Sequence, residues 1–123
     1  AVTILLQDGQ DGLQVERDGA WYDISASRGS ILVNIGDVVQ VWSNDRYQAP
    51  LHRVLASQTS TRYSAPFFLN PSFDASYAPV PSVIRDAAPR YRAISWQEFR
   101  EGRALGDYGD YGTEIQISDF RIA

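Results

Sequence analysis

The chain has one histidine, His52, in Leu51-His52-Arg53-Val54, and Arg62-Tyr63-Ser64 follows it ten positions on. Imidazole is a common ligand for iron and other transition metals. The arginine guanidinium is a planar fork that matches a carboxylate, and a serine hydroxyl adds one more donor. On a strand, residues two apart face the same side, so Arg62 and Ser64 can both address one small anion. An arginine inside a barrel must be paired, which implies either a bound carboxylate or a structural Asp or Glu. Each residue also has a plainer reading. A lone histidine between Leu51 and Val54 is more often structural than a ligand, and an arginine on a polar strand is most often solvated. One histidine also cannot complete a non-haem iron site of the kind built from two imidazoles and one carboxylate.

The elements that must position these residues read as short strands. Val2 to Leu6 is a β-branched and leucine run closed by Asp8-Gly9 and Asp11-Gly12. Leu13 to Val15 alternates into Asp18-Gly19, a hairpin signal, and Trp21 to Ile24 alternates again. Ile31 to Ile35 is a buried-strand run, and Val38 to Trp42 reads as the next strand. Leu51 to Ala56 and Arg62 to Leu69 are two more, joined by the polar Ser57 to Thr61. Short strands at this spacing indicate an antiparallel sandwich or barrel. If the last two strands are adjacent and antiparallel, His52 and Arg62 can lie within one pocket, which the sequence permits without establishing.

Beyond residue 70 the pattern changes. Asn70 to Pro89 is proline-rich and reads as an extended loop. Ser95 and Glu98 form a capping-box pattern, with Ile94 and Phe99 placed as a hydrophobic staple, so a helix starts there and ends near Gly102 to Gly106. Glu114 to Ile117 alternates as a short strand. Asp107 to Gly112 offers two carboxylates without the spacing of a calcium loop, and reads as a solvated turn. Trp21, Trp42, Phe67, Phe68 and Trp96 read as core or loop-packing residues, with Phe67 and Phe68 turned to opposite sides.

Composition narrows the function classes. The chain of 123 residues is one domain in size and 44% hydrophobic. Its net charge is −4, and all 11 basic residues are arginine. Lysine chemistry is therefore excluded, and the scattered arginines form no basic stripe for nucleic acid. Cysteine is absent, which excludes thiol catalysis and thiolate metal sites and fits a reducing cytoplasm. No apolar run is long enough for a membrane span, and no signal peptide is visible. There is no G-x-S-x-G, Walker or H-E-x-x-H motif.

Taken in order, Val2 to Asp8, Gly12 to Val15, Val33 to Asp37, Trp42 to Tyr47, His52 to Val54 and Arg62 to Pro71 resemble the C-terminal part of the 2-oxoglutarate/Fe(II)-dependent dioxygenase superfamily. The branch is that of isopenicillin N synthase and the plant flavonoid and hormone oxygenases. The resemblance covers about residues 1 to 80, and residues 90 to 122 resemble the tail of bacterial members. It implies a mainly β fold, a double-stranded β-helix or jelly roll incomplete on its N-terminal side, with a C-terminal helix. Residues 1–80 would be the jelly-roll part and 81–123 an extension with loop, helix and short strand.

The same resemblance implies Fe(II) as metal and 2-oxoglutarate as cosubstrate. It carries His52 over as the distal iron ligand, Arg62 and Ser64 as the pair binding the far carboxylate of 2-oxoglutarate, and Phe68 as a substrate-pocket residue. Members oxidise a small organic substrate with O2 and release succinate and CO2. The family's His-x-Asp, which supplies the other two ligands, would precede Val2 to Asp8 and is not in this sequence. Two readings follow. In one, the chain is the C-terminal part of a dioxygenase and is inactive alone. In the other, it is a non-catalytic jelly-roll module that binds a small dicarboxylate or a protein partner. Uncovered sheet edges would favour self-association in either case.

Overall fold

The computed structural model describes residues 1–107 and 115–122. The chain divides into two compact units, Ala1–Gly36 with Ala49–Leu69, and Asp37–Gln48 with Asn70–Ala123.

The first unit contains six strands in two antiparallel sheets. These are β1 (Val2–Gln7), β2 (Leu13–Arg17), β3 (Ala20–Ile24), β4 (Ile31–Ile35), β5 (His52–Val54) and β6 (Ser64–Leu69). One sheet has the order β4-β1-β6 and the other β3-β2-β5. The β2–β3 hairpin turns on Asp18 and Gly19, both with positive φ (53° and 78°). Those angles match a two-residue turn whose twist suits the flanking strands. The Glu16 carboxylate accepts the Gly19 N–H at 2.6 Å and pins it.

Register decides which side chains share a face, because residues directly opposite in an antiparallel pair point the same way. Ile4 sits opposite Val33 and Phe67, whereas Thr3 sits opposite Asn34 and Phe68, and Gln7 opposite Ser64. Phe67 and Phe68 therefore lie on opposite faces, and Gln7, Ser64 and Phe68 share one. In the second sheet His52 pairs Val15 and Val54 pairs Leu13, so both project from the same face.

The second unit holds the packed core. Its elements are α1 (Asp37–Trp42), β7 (Ser76–Tyr77), α2 (Pro81–Ile84), β8 (Ile94–Ser95), α3 (Trp96–Asp107) and a 3-10 turn at Ile117–Phe120. Val38, Val41, Tyr77, Tyr91, Ile94, Trp96, Phe99 and Phe120 are buried here, while Leu13 alone represents the first unit among the buried apolar residues described. Tyr77, Trp96, Phe99 and Phe120 form a chain of rings at centroid distances of 6.3, 6.0 and 6.0 Å. Such tilted and edge-on pairs add to the stabilisation from burial.

Several expectations change here. Val38 to Trp42 is helical, not a strand. Val38 and Val41 are buried three residues apart, Asp37 lies in the first turn, and left-handed Asn44 and Asp45 (φ 54° and 67°) end the segment. The capping box at Ser95 is half formed. Ser95 Oγ accepts the Glu98 N–H at 3.4 Å, but the Glu98 carboxylate turns to Arg92 at 2.6 Å. The helix runs past Gly102 and Gly106 to Asp107. Residues 115–116 have no regular structure, and Ile117 opens the 3-10 turn, so the expected strand does not form there; Glu114 and residues 108–112 of the acidic stretch lie outside the described residues. The proline-rich stretch contains the short β7 and α2 rather than loop alone. Trp42, Phe67 and Phe68 are exposed by 39%, 62% and 61%, so they are not core residues.

Candidate functional site

Arg62 lies just before β6, half-buried. Its Nη2 donates to the Gln7 side-chain oxygen at 2.8 Å and its Nη1 to Ser64 Oγ at 3.1 Å. Both partners are neutral. Nε is buried without a partner, and no Asp or Glu among the described residues forms an ion pair with the guanidinium. The guanidinium is thus held in place by oriented dipoles, without a carboxylate in direct contact among the described residues. Of the two options the sequence left open, a structural carboxylate is not the one found among the described residues.

Arg62 is fixed from the backbone side too. The Tyr63 N–H donates to Asp8 Oδ2 at 2.6 Å, and the Asp8 N–H donates to the Tyr63 carbonyl at 3.2 Å. The Tyr63 N–H, then that of Gln10, holds the Asp8 carboxyl below its ordinary range, and the Arg62 charge adds to this.

Gly12 joins this cluster to β5. A Cβ placed on Gly12 would stand 3.0 Å from the Leu55 carbonyl oxygen, 3.8 Å from Arg62 Cδ and 4.0 Å from Val54 Cγ1. Its φ of +131° is a conformation that side chains rarely adopt. The Leu55 N–H donates to the Gly12 carbonyl at 2.9 Å. A bare backbone thus lets the end of β5 and the Arg62 stem meet at one point. β5 and β6 belong to different sheets, so the strands of His52 and Arg62 are not the adjacent pair expected, and Gly12 is the point that the end of β5 and the Arg62 stem have in common.

His52 is exposed, and its Nδ1 lies 3.1 Å from the Pro50 carbonyl oxygen. A carbonyl can only accept, so Nδ1 carries a proton, and in the neutral ring the lone pair is on Nε2. That is the tautomer a metal ligand requires, oriented by a backbone acceptor. On the reverse face Arg53 stacks over Trp21 at 3.9 Å and donates to Gln14 at 2.9 Å, which braces the strand. Among the described residues no three His, Cys, Asp or Glu side chains converge on a point that would hold a metal.

Arg62 and Ser64 are brought together as the spacing requires, and Phe68 occupies the same sheet face as Ser64. No local pattern in the sequence marks Gln7, Gly12 or Pro50 as part of the site. Asp11-Gly12 was visible as a turn, but its contact with Arg62 depends on a pairing that no local pattern shows.

Residues 1–71 match the model of the 2OG-Fe(II) oxygenase superfamily. The chain belongs to that superfamily. It is 36% identical to gibberellin 2-beta-dioxygenase 5 of Oryza sativa subsp. japonica over 115 residues, which is 94% of this chain and 33% of that protein. It is 38% identical to scopoletin 8-hydroxylase of Arabidopsis thaliana over 100 residues, 80% of this chain and 28% of that protein. The crystal structure of JOX2 in complex with 2OG, Fe and JA superposes with a TM-score of 0.81 at 29% identity, covering 100% of this chain and 36% of that one. The dioxygenase for auxin oxidation of rice gives 0.79 at 27% identity, covering 98% and 42%. This member of the superfamily therefore spans about a third of the length of the curated relatives it matches. Its two antiparallel sheets belong to the jelly roll of that superfamily, whose members depend on Fe(II) and 2-oxoglutarate.

The oxygenase residues described here fit the two groups unequally. The Arg62 guanidinium, with an orphaned buried Nε and no carboxylate partner among the described residues, fits a carboxylate of 2-oxoglutarate. The iron set is not complete among the described residues, where His52 alone has the right character. No helix among these residues is long and apolar enough to cross a membrane.

Proposed function

We propose that this chain forms the C-terminal part of a non-haem Fe(II)/2-oxoglutarate dioxygenase that oxidises a small organic substrate with O2 and yields succinate and CO2. The observation that supports the reading is the Arg62 guanidinium, held between the neutral Gln7 and Ser64 with a buried, partnerless Nε and no carboxylate in direct contact among the described residues.

Arg62 binds the far carboxylate of 2-oxoglutarate, and the Ser64 hydroxyl, already oriented by Nη1, completes the grip. Bound 2-oxoglutarate supplies the two electrons that O2 activation requires beyond those of the substrate. The chain's own part is to fix the orientation of that cosubstrate and to place a positive charge against its far carboxylate. His52 offers Nε2 as one metal ligand, and Phe68 lines the substrate side from the face shared with Ser64. The alternative, a non-catalytic module that binds a dicarboxylate, uses the same Arg62 and Ser64.

The cysteine-free composition supports the cytoplasm as the working compartment. The unpaired edges of β4 and β6 and the exposed Ile31, Val33, Phe67 and Leu69 support self-association of the chain on its own.

The test is succinate formation from 2-oxoglutarate by the intact polypeptide carrying this sequence. His52→Ala and Arg62→Ala should each abolish it, while Arg53→Gln, on the reverse face of the same strand, should leave it measurable. Unchanged succinate formation in His52→Ala would overturn the reading. This chain alone should titrate Fe(II) only weakly under anaerobic conditions, without turnover.

A further inference from the structure

The second unit contains a cleft of about 550 Å³ with an unusual lining. Three arginines, Arg46, Arg90 and Arg121, border it together with the apolar Ile84, Pro89 and Ile122. The size is that of a small-molecule site.

The three arginines are the charged residues of its lining. The nearby carboxylate is Asp45, whose side chain is only 3% exposed. Oδ2 accepts Arg90 Nη1 at 3.2 Å and Arg121 Nη2 at 2.8 Å. Oδ1 accepts the Tyr91 hydroxyl at 2.5 Å and Gln40 Nε2 at 3.1 Å. Four bonds fill the acceptor capacity of one carboxylate. Arg90 and Arg121 still keep donors free, with side chains 60% and 43% exposed. The Arg46 side chain makes no hydrogen bond or ion pair with any described residue, although its backbone N–H is fixed by the Ser43 carbonyl at 3.2 Å. Arg90 and Arg121 thus share a carboxylate that is already saturated, and Arg46 borders the cleft with no ion-pair partner among the described residues.

The walls are held in place before any ligand arrives. Asn44 spans the cleft's two chain segments, donating to the Ala88 carbonyl at 3.0 Å and accepting the Arg90 N–H at 2.7 Å. The Ile122 N–H donates to the Arg90 carbonyl at 2.9 Å, and Arg121 stacks over Tyr91 at 4.9 Å. Arg90 and Arg121, already oriented by Asp45 beside an apolar wall, suit an amphiphilic anion, and Arg46 is the side chain left to order on binding.

We propose that this cleft binds a small organic oxyanion, with a carboxylate or phosphate head on Arg46 and the free donors of Arg90 and Arg121, and a compact apolar body against Ile84, Pro89 and Ile122. The site is separate from Arg62 and stands whether or not the dioxygenase reading does.

The probes are benzoate, phenyl phosphate and neutral benzyl alcohol, titrated into the full 123-residue chain and followed by the methyl resonances of Ile84 and Ile122 and the amide of Arg90. Saturable shifts with benzoate or phenyl phosphate, at least fivefold weaker in Arg46→Ala and retained in Arg62→Ala, are the expected result. The stronger of the two anions identifies the head group as carboxylate or phosphate. Arg46→Lys should recover part of the affinity, and Arg46→Gln repeats the charge removal should the alanine variant misfold. No saturation by either anion, equal shifts with benzyl alcohol, or a loss in Arg62→Ala without one in Arg46→Ala would each overturn the proposal.

Discussion

Arg62 donates to the side-chain oxygen of Gln7 at 2.8 Å, across 55 positions of sequence. The bond joins the segment that enters β6 to the last residue of β1, and it orients a cation without neutralising it. A carboxylate at the same place would neutralise it. Gln7→Glu should therefore keep the fold and weaken 2-oxoglutarate binding by more than roughly tenfold, since a charge-assisted contact is worth about 1.5–3 kcal/mol. Calorimetry beside a melting curve checks both halves; unchanged affinity in a folded Gln7→Glu variant would refute the role given to Gln7.

Ser64→Ala removes one hydroxyl from the cluster and touches little else, because Ser64 is an exposed strand residue. A neutral hydrogen bond contributes about 0.5–1.5 kcal/mol net, so binding should weaken by roughly 3- to 10-fold with the melting temperature nearly unchanged. A loss as large as that of Arg62→Ala would show that Ser64 does more than add one donor.

Gly12→Ala should harm fold and site together. Its φ is +131°, and the new Cβ would press on the Leu55 carbonyl at 3.0 Å. Strain of this kind costs on the order of 1–3 kcal/mol. Thermal denaturation should show a drop of several degrees, and amide spectra should shift at both Val54 and Arg62. Changes confined to one of the two would contradict the idea that Gly12 is where they meet.

Acid should attack the second unit through Asp45. Burial alone would raise its carboxyl, but hydrogen bonds from Tyr91, Arg90, Gln40 and Arg121 outweigh this and hold it below the ordinary range. A carboxyl lowered in the fold contributes stability that is fully present above its unfolded value, near 3.8, and lost as pH falls through the lower folded value. Asp37 works the other way, since burial raises its carboxyl. The difference between the parent and Asp45→Asn isolates the Asp45 share. That difference should be largest at neutral pH and shrink below about pH 4. A difference independent of pH would mean that the Asp45 charge contributes nothing.

Light scattering on this chain alone should show species larger than a monomer, reduced by Phe67→Asp or Val33→Asp on the exposed face of the first sheet. A clean monomer at all concentrations would contradict the self-association assigned to that sheet.

The parts of this structure that were legible in the sequence are those set by local chemistry. Asp18-Gly19 marks its hairpin because the required positive φ is cheap there. Ser95 marks the start of α3 because a hydroxyl at that place has one obvious use. Arg62 and Ser64 could be paired because they are two residues apart, although the strand starts only at Ser64 and a side-chain hydrogen bond, not strand parity, joins them. Val38 to Trp42 misled because three valines favour a strand, while burial of Val38 and Val41 on one side rewards a turn of helix. Glu98 left its half of the cap for Arg92, a partner six residues away that no capping rule includes. Exposure of Phe67 and Phe68 could not be read at all, because aromatic strand residues look the same whether or not anything covers them. Gln7 and Gly12 act across pairings that only the folded chain brings about.

The central claim is that Arg62 waits for a carboxylate. Its most direct test is a titration of the metal-free chain with 2-oxoglutarate, followed at the Arg62 Nε–H and the Ser64 amide. The expected result is a saturable response that needs no metal, falls by at least tenfold in Arg62→Ala, and survives in Arg46→Ala. No saturable response at these two resonances, or one that persists undiminished in Arg62→Ala, would contradict it.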